Sequence, residues 1–303
     1  MADIASPTAL KSLLRNYGLT PKKGLGQHFL WQTQVVERIA SAAELTKNDV
    51  VLEIGPGLGI LTAALARRAG LVIAVEIDRA LFPLLEEILC DYDNVRLVEG
   101  DARKVDFGGL LKDYASAFTG PCKVVGNLPY YITSPLIMRL LYGEFRKELL
   151  VFMVQKEVAK RIAACPGGKE YGSLSVAVQY LADPEFLFQV PPHAFCPPPD
   201  VASAVIKLTS RQQPAVSVKD EEIFFKVVRA AFRYRRKMLR NALREADLWD
   251  PEGDNIFEWA GIIPERRGET LDLVEFSRLA DALAYSQERK EEQCTSLVQP
   301  KEQ

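Results

Sequence analysis

Val50-Val51-Leu52-Glu53-Ile54-Gly55-Pro56-Gly57-Leu58-Gly59 is the stretch on which the fold turns. A short run dominated by branched aliphatics reads as a buried strand, and the glycines that follow end it at once. Apolar residues at helical spacing resume from Leu61 to Arg68, so the unit is strand, glycine turn and helix. Glycines at such a turn let the backbone approach a ligand where any Cβ would collide. Working outward, Val/Ile/Leu-rich runs predict further strands at Leu71 to Ile77, Val95 to Glu99, Cys122 to Gly126, Leu149 to Val154, Phe186 to Val190 and Ser203 to Leu208. Helical patterns cover Ala80 to Leu89 and Ser134 to Tyr142. This alternation is the signature of an α/β fold with a mostly parallel sheet.

The 303 residues leave room for a large domain and a small one. With 48% hydrophobic and 26% charged residues the chain falls in the ordinary globular range. No apolar run approaches the ~18 residues of a membrane span, and the N-terminus has no apolar region followed by a cleavage site, so a cytoplasmic protein with no membrane partner is expected. Five dispersed cysteines without a Cys-x-x-Cys pair, and two histidines, predict neither a metal site nor a disulfide framework. A net charge of -2 excludes a uniformly basic nucleic-acid binder, so any such contact must come from a local cluster.

The Pro-rich segment from Pro191 to Pro199 is expected to be a loop before the last strand, since proline lacks the amide donor and fixes φ. After the polar segment Thr209 to Ala215, only helices are expected, from Glu221 to about Tyr285. The resulting division is a catalytic domain over 1–210, a helical domain over 211–286 and a disordered tail over 287–303.

Glu76 closes the second strand 21 positions after Gly55, where a carboxylate can accept from both ribose hydroxyls of an adenosine ligand. A dinucleotide fingerprint places its third glycine five residues after the first, where this chain has Ile60; here Gly59 comes four after. That third glycine serves a pyrophosphate, which S-adenosylmethionine lacks, so the spacing favours the sulfonium cofactor over a nicotinamide. Asp101 closes the third strand, either accepting from the cofactor's adenine amine or capping the next helix, and the two roles can coexist.

Asn127-Leu128-Pro129-Tyr130 follows the fourth strand. It resembles the Asn/Asp-Pro-Pro-Tyr motif of enzymes that methylate exocyclic amines of bases, in the form used by the ribosomal RNA adenine dimethyltransferases. The chemistry suits these residue types. The adenine N6 lone pair is delocalised into the ring, so acceptance of both N6 protons, by the Asn127 oxygen and the Leu128 carbonyl, favours a pyramidal and nucleophilic amine. Pro129 stiffens the turn. Tyr130 would stack on a flipped base. Phe195 is either a second stacking face or an aromatic plug beneath the prolines. The leaving group is a neutral thioether, so no general base is needed and positioning carries catalysis.

The resemblance extends over nearly the whole chain, through Gly24-Leu25-Gly26-Gln27-His28-Phe29-Leu30, Tyr171-Gly172-Ser173-Leu174-Ser175-Val176 and the segment from Phe195 to Ser203. Arg235 to Leu243 and Arg266 to Leu271 are similar to the bacterial branch that dimethylates two adjacent adenosines near the 3′ end of small-subunit ribosomal RNA. The resemblance implies a Rossmann-like S-adenosylmethionine-dependent methyltransferase fold of seven strands, the last antiparallel, with a small C-terminal helical domain. It also implies that Gln27, His28 and Leu30 line the methionine part of the cofactor. Gly55, with Gly57 in the same turn, and Glu76 would serve its ribose, Ile77, Asp101 and Ala102 its adenine, and Asn127 its methyl end. His28 stands where the family often has Asn. The partner would be ribosomal RNA, within an assembling small subunit, and the enzyme a monomer without metal.

From Lys226 to Arg244 the chain carries cations and no acid. On a continuous helix Arg229, Arg233, Arg236, Arg240 and Arg244 share one side, and Arg229, Arg233, Arg236, Lys237 and Arg240 are the candidate RNA-binding residues. The rivals are the erythromycin-resistance branch acting on large-subunit RNA, a nicotinamide oxidoreductase, and an RNA-binding relative without turnover.

Overall fold

The computed structural model describes residues 6–250 and 255–298. By contact density the chain divides into two units: residues 1–160 with 182–211, and residues 161–181 with 212–303. The last crossing between the units falls near residue 211, and 161–181, read as part of the catalytic domain, groups with the C-terminal helices.

The first unit is built on a seven-stranded sheet. In chain order the strands of this unit are β1 (Phe29–Leu30), β2 (Val50–Ile54), β3 (Leu71–Glu76), β4 (Val95–Glu99), β5 (Cys122–Asn127), β6 (Lys147–Gln155), β7 (Ala182–Val190), β8 (Phe195–Cys196) and β9 (Ser203–Ser210). The sheet runs β4-β3-β2-β5-β6-β9-β7. Neighbours from β4 to β6 are parallel, and β9 lies antiparallel between β6 and β7. Every residue of β2 and β3 is buried, as expected of central parallel strands covered on both faces. Pro184 is accommodated because β7 is an edge strand. The helices are α1 (Pro7–Asn16), α2 (Thr33–Ala42), α3 (Ile60–Ala66), α4 (Phe82–Ile88), α5 (Phe107–Tyr114) and α6 (Thr133–Tyr142). One core cluster packs α2 and α3 with β2, β6 and β9, and a second packs α1, α3 and α4.

The Pro-rich segment is not wholly a loop. Phe195 and Cys196 form β8, which pairs antiparallel with β1 through Phe29↔Cys196 and Leu30↔Phe195. The indole Nε1 of Trp31 donates to the His193 carbonyl at 3.0 Å, and its backbone N–H to that of Ala194 at 3.1 Å. Two carbonyls of the Pro-rich segment thus accept from a residue more than 160 positions earlier in the chain, while the Ala194 N–H is met locally by Pro191 O at 3.0 Å.

Beyond α7 (Lys156–Ile162), the second unit holds α8 (Ser173–Leu181), α9 (Glu221–Arg233), α10 (Leu239–Glu245), α11 (Ile256–Ala260) and α12 (Leu273–Val298). Tyr171, Val176 and Tyr180 are buried against Phe224, Val228 and Phe276, which explains why 161–181 leaves the first unit. α12 continues to Val298, so the tail expected to be disordered from Gln287 is helical over its described part, and 299–303 lie outside the described residues. Among the described residues no helix is long and apolar enough to cross a membrane.

The cationic run does not form one helix. α9 opens on Asp220, whose carboxylate caps the Ile223 N–H, and ends at Arg233; residues 234–238 turn before α10 begins. Met238 offers no side-chain cap, and the first amides of α10 donate instead to Arg266 O at 2.7 Å and Pro264 O at 3.1 Å. Arg235 turns back to donate to the carbonyls of Lys169 and Tyr171. Tertiary carbonyls thus take over from the intrahelical ladder at a break whose residues, Tyr234 apart, are good helix formers.

Candidate active site

The parallel strands β2 to β5 end on one edge of the sheet, and the chain leaves β2 towards β3 on one side and β5 on the other. Ligands of such sheets sit in the crevice at this reversal, beyond the C-terminal strand ends. Gly55, Glu76, Asp101 and Asn127 follow or close these ends, and all four line one cavity, together with Gln27, His28 and Leu30 from around β1. Gly57, Ile77, Ala102, Leu128, Pro129 and Tyr130 line it as well. Of the residues predicted for catalysis and cofactor binding, only Phe195 is absent from the lining.

Gly55, Gly57 and Gly59 all have positive φ, at 70°, 58° and 77°. At Gly57 an added Cβ would also meet the Phe29 ring at 3.3 Å, and at Gly59 the Leu85 side chain at 3.1 Å. Strain and crowding therefore both demand glycine there. The turn brings the Gly57 N–H to Glu76 Oε2 at 3.2 Å, while the Asp78 N–H holds Oε1 at 2.9 Å. Burial raises the Glu76 pKa, against the pull of these amides. The two backbone amides hold the carboxylate in place at the cavity wall.

Glu53 reads in the sequence only as a strand residue, yet it is 1% exposed, lines the cavity and has no hydrogen-bond partner for either oxygen among the described residues. Burial pushes its pKa up to about 8 and the Glu76 charge adds to the rise; the Thr62 hydroxyl is near enough to oppose it in part, but its geometry is not that of a hydrogen bond. A buried carboxyl left without a donor is costly in a folded protein. A cationic ligand in the same cavity would relieve that cost. Together with the amide-held Glu76 and the glycine turn, this donor set fits an adenosine ligand that carries positive charge.

Asp101 does not cap a helix. The Arg103 guanidinium chelates both its oxygens, with Nε to Oδ1 at 2.9 Å, and holds its pKa down. Asp106 provides the cap, accepting from the Gly109 N–H at the start of α5. The Arg103 backbone N–H also donates to Asp101 Oδ1 at 2.9 Å, so four contacts already reach the two oxygens and a further donor would have to share a site with the Arg103 chelate. The turn Asp101 belongs to is pinned by Arg139 of α6, which donates to Ala102 O at 2.9 Å and Val105 O at 2.8 Å. No spacing in the sequence points to Arg139, because its partners lie 34 to 37 positions away.

At the Asn127 end of the cavity, the Asn127 Nδ2 donates to the His28 carbonyl at 3.2 Å. A carbonyl can only accept, so the amide must turn its NH2 towards His28. Its Oδ1, like the Leu128 carbonyl, receives no donor among the described residues. Tyr130 is fixed by a 2.6 Å hydrogen bond between its hydroxyl and the buried Ser203 Oγ, and its ring stacks on His28 at 5.9 Å between centroids and 22° between planes. Burial raises the Tyr130 pKa, so the ring stays a neutral phenol. The His28 Nδ1 lies 2.8 Å from Pro197 O.

Phe195 departs from one of its two expected roles. It is 3% exposed and packs in the core cluster with Leu30, Val36 and Ile39. Its pairing with Leu30 turns the ring to the core, so in this arrangement it is the plug and not a second face for the base. Gln27 lines the cavity, but its side-chain amide is committed elsewhere: Nε2 donates to Asp78 at 2.8 Å and Oε1 accepts from the Lys22 N–H at 2.8 Å.

In the second unit, Arg229, Arg233, Arg236 and Lys237 are exposed, and the first three have no carboxylate partner among the described residues. Lys237 pairs with Glu245, and the half-buried Arg240 with Glu265 at 2.8 Å. The acid-free run is therefore partly neutralised from outside. Arg266 is also structural, bridging Glu275 and donating to the Thr270 carbonyl at 2.7 Å.

The sequence matches the ribosomal RNA adenine dimethylase family over residues 18–260. It is 51% identical to a protein of Moorella thermoacetica named ribosomal RNA small subunit methyltransferase A, over 94% of this chain and 100% of that one. A protein of the same name from Pelotomaculum thermopropionicum is 48% identical over 93% and 98% of the two chains. Among solved structures, a dimethyladenosine transferase from Plasmodium falciparum superposes with a TM-score of 0.69 at 26% identity, over 81% of this chain and 94% of that one. The 23S rRNA methyltransferase ErmE gives 0.65 at 28%, over 84% and 99%. With this match over most of its length, and with the cavity described above, the chain belongs to the ribosomal RNA adenine dimethylase family.

Proposed function

We propose that this chain transfers methyl groups from S-adenosylmethionine to the N6 amines of two adjacent adenosines near the 3′ end of small-subunit ribosomal RNA. The observation that carries the reading is the Asn127 amide: it is locked by the His28 carbonyl with its oxygen free beside an open backbone carbonyl. Two acceptors without charge suit an amine with two protons to give, and a neutral amide need not repel the tertiary amine that a second transfer produces.

When bound, S-adenosylmethionine supplies an electrophilic methyl on a sulfonium. Glu76 would accept from its ribose hydroxyls, Asp101 from its adenine amine, and Glu53 would face its positive charge. Tyr130, held by Ser203, offers its ring to the base, and stacking contributes roughly 1 to 3 kcal/mol against the cost of flipping. Asn127 and Leu128 then hold N6 in line, a contribution of positioning that reaches about 7 to 11 kcal/mol at near-attack geometry. The small-subunit branch is favoured over large-subunit RNA by the two relatives near 50% identity, which are named for the small subunit. An assembling subunit as the substrate and a monomeric enzyme complete the reading.

The test is methylation of small subunits from cells lacking the enzyme, with the modified bases mapped. Two neighbouring N6,N6-dimethyladenosines near the 3′ end are expected, and modification of large-subunit RNA alone would contradict the assignment. Asn127→Ala and Tyr130→Ala are each expected to abolish transfer while calorimetry shows cofactor affinity within a few-fold of the parent.

A further inference from the structure

We infer that Lys22, Gln27 and Asp78 form a clasp that sets the orientation of the Asn127 amide, which makes Asp78 a positioning residue for methyl transfer although it does not line the cavity. The inference rests on the reading of Asn127 as the acceptor for N6.

Asp78 follows Glu76 by two residues, and its side chain is 3% exposed. Its Oδ1 accepts from Lys22 Nζ at 2.6 Å and from the Ala80 N–H at 3.1 Å, and its Oδ2 from Gln27 Nε2 at 2.8 Å. Gln27 Oε1 in turn accepts from the Lys22 N–H at 2.8 Å. Both ends of the segment 22–27 are thus tied to one buried carboxylate. Burial alone would raise the Asp78 pKa, but the Lys22 and Gln27 hydrogen bonds outweigh it and the net shift is downward.

The next residue along the chain is His28, whose carbonyl receives the Asn127 Nδ2. On its other side, Phe29 and Leu30 are anchored by pairing with β8. The His28 carbonyl is therefore held from upstream by the clasp and from downstream by the ladder. If the clasp opens, this carbonyl loses one anchor, and the amide that leans on it can rotate to present NH2 where an acceptor is needed. The Asp78 backbone N–H that supports Glu76 is untouched by any side-chain change, so the clasp and the ribose carboxylate can be separated by mutation.

The experiment measures kcat, the KM for S-adenosylmethionine and the KM for unmethylated small subunits with Lys22→Ala, Gln27→Ala and Asp78→Asn, using Lys22→Arg as the conservative control. Each of the first three is expected to lower kcat about tenfold to a hundredfold, the range for a small misplacement transmitted to the reacting centre. The KM for the subunit should stay unchanged, and Lys22→Arg should keep the parent kcat. The double variant Lys22→Ala/Gln27→Ala should fall no further than the worse single one, because both act through one carboxylate. Lys22 is half exposed, so its variants remain informative even where Asp78→Asn fails to fold. A kcat within twofold of the parent in the folded variants, or an effect confined to the KM for the cofactor, overturns the clasp. Asn127→Ala run in parallel separates the two ideas. If it is inactive while the clasp variants keep full kcat, only the clasp falls; if it is active, the reading of Asn127 falls and the clasp with it.

Discussion

Glu53 stands in the strand that decides the fold, yet its chemistry comes from what surrounds it. In the unfolded chain the carboxyl ionises near 4.5, and in the folded protein near 8, because burial disfavours the charge. Between these values the folded state binds one more proton than the unfolded state. Stability contributed by this group is therefore complete below about 4.5 and declines as pH rises through about 8, at roughly 1.4 kcal/mol per unit. Glu53→Gln, isosteric with the protonated form, should match the parent in thermal unfolding near pH 4.5 and exceed it by several degrees near pH 8.5. A cationic cofactor pulls the other way, so binding of S-adenosylmethionine to the parent should release a proton below pH 8. Calorimetry in buffers of different ionisation enthalpy counts that proton, and its absence in the parent would contradict a Glu53 facing the cation. Glu53, Gly55 and Asn127 were all identifiable from adjacent residues as strand, turn and motif. That Glu53 has no hydrogen-bond donor among the described residues could not be read this way, because potential donors belong to other elements.

The same limit governs whole elements. The strand, glycine turn and helix over Val50–Ala66 are dictated by residues that touch one another along the chain, and they fold as read. β8 is different: Phe195 and Cys196 become a strand only because Phe29 and Leu30 are there to pair with, and no local pattern announces a partner that distant. The break between α9 and α10 has the same origin, since Tyr234 to Met238 turn where carbonyls of Lys169, Tyr171, Pro264 and Arg266 take the donors. Gly268 belongs to this class of contact. An added Cβ there would meet Ala231 Cβ at 2.7 Å and Ala231 O at 2.8 Å, so the segment lies directly on α9 because its residue has no side chain. Gly268→Ala should cost about 1 to 3 kcal/mol as an overpacking change. Denaturant unfolding should show the loss, and calorimetry should find cofactor affinity unchanged; an unaltered midpoint would mean that the contact is not close.

Taken over all its residues the chain is acidic by two charges, so its attraction to a polyanion must be local and strongly dependent on which cations are unpaired. From Lys226 to Arg244 the sequence lists eight cations as equivalents, and folding sorts them. Arg235 is spent on backbone carbonyls, Lys226, Lys237 and Arg240 on Glu222, Glu245 and Glu265. Arg229, Arg233, Arg236 and, in α10, Arg244 are left exposed without a carboxylate among the described residues, and the first three are the candidate contacts. If they are the phosphate contacts, each should account for about 0.7 in the slope of log affinity against log salt on single-stranded RNA. Replacing all three by Gln should therefore flatten the slope by about 2, whereas Lys237→Gln and Arg240→Gln, already balanced by carboxylates, should change it by less than 0.7 each. The cofactor cavity is lined by none of these side chains, so cofactor affinity provides the internal control. A filter-binding series from low to physiological salt decides the matter: equal losses from all five cations would show that pairing does not sort them, and an unchanged slope in the triple variant would place the phosphate contacts elsewhere on the molecule.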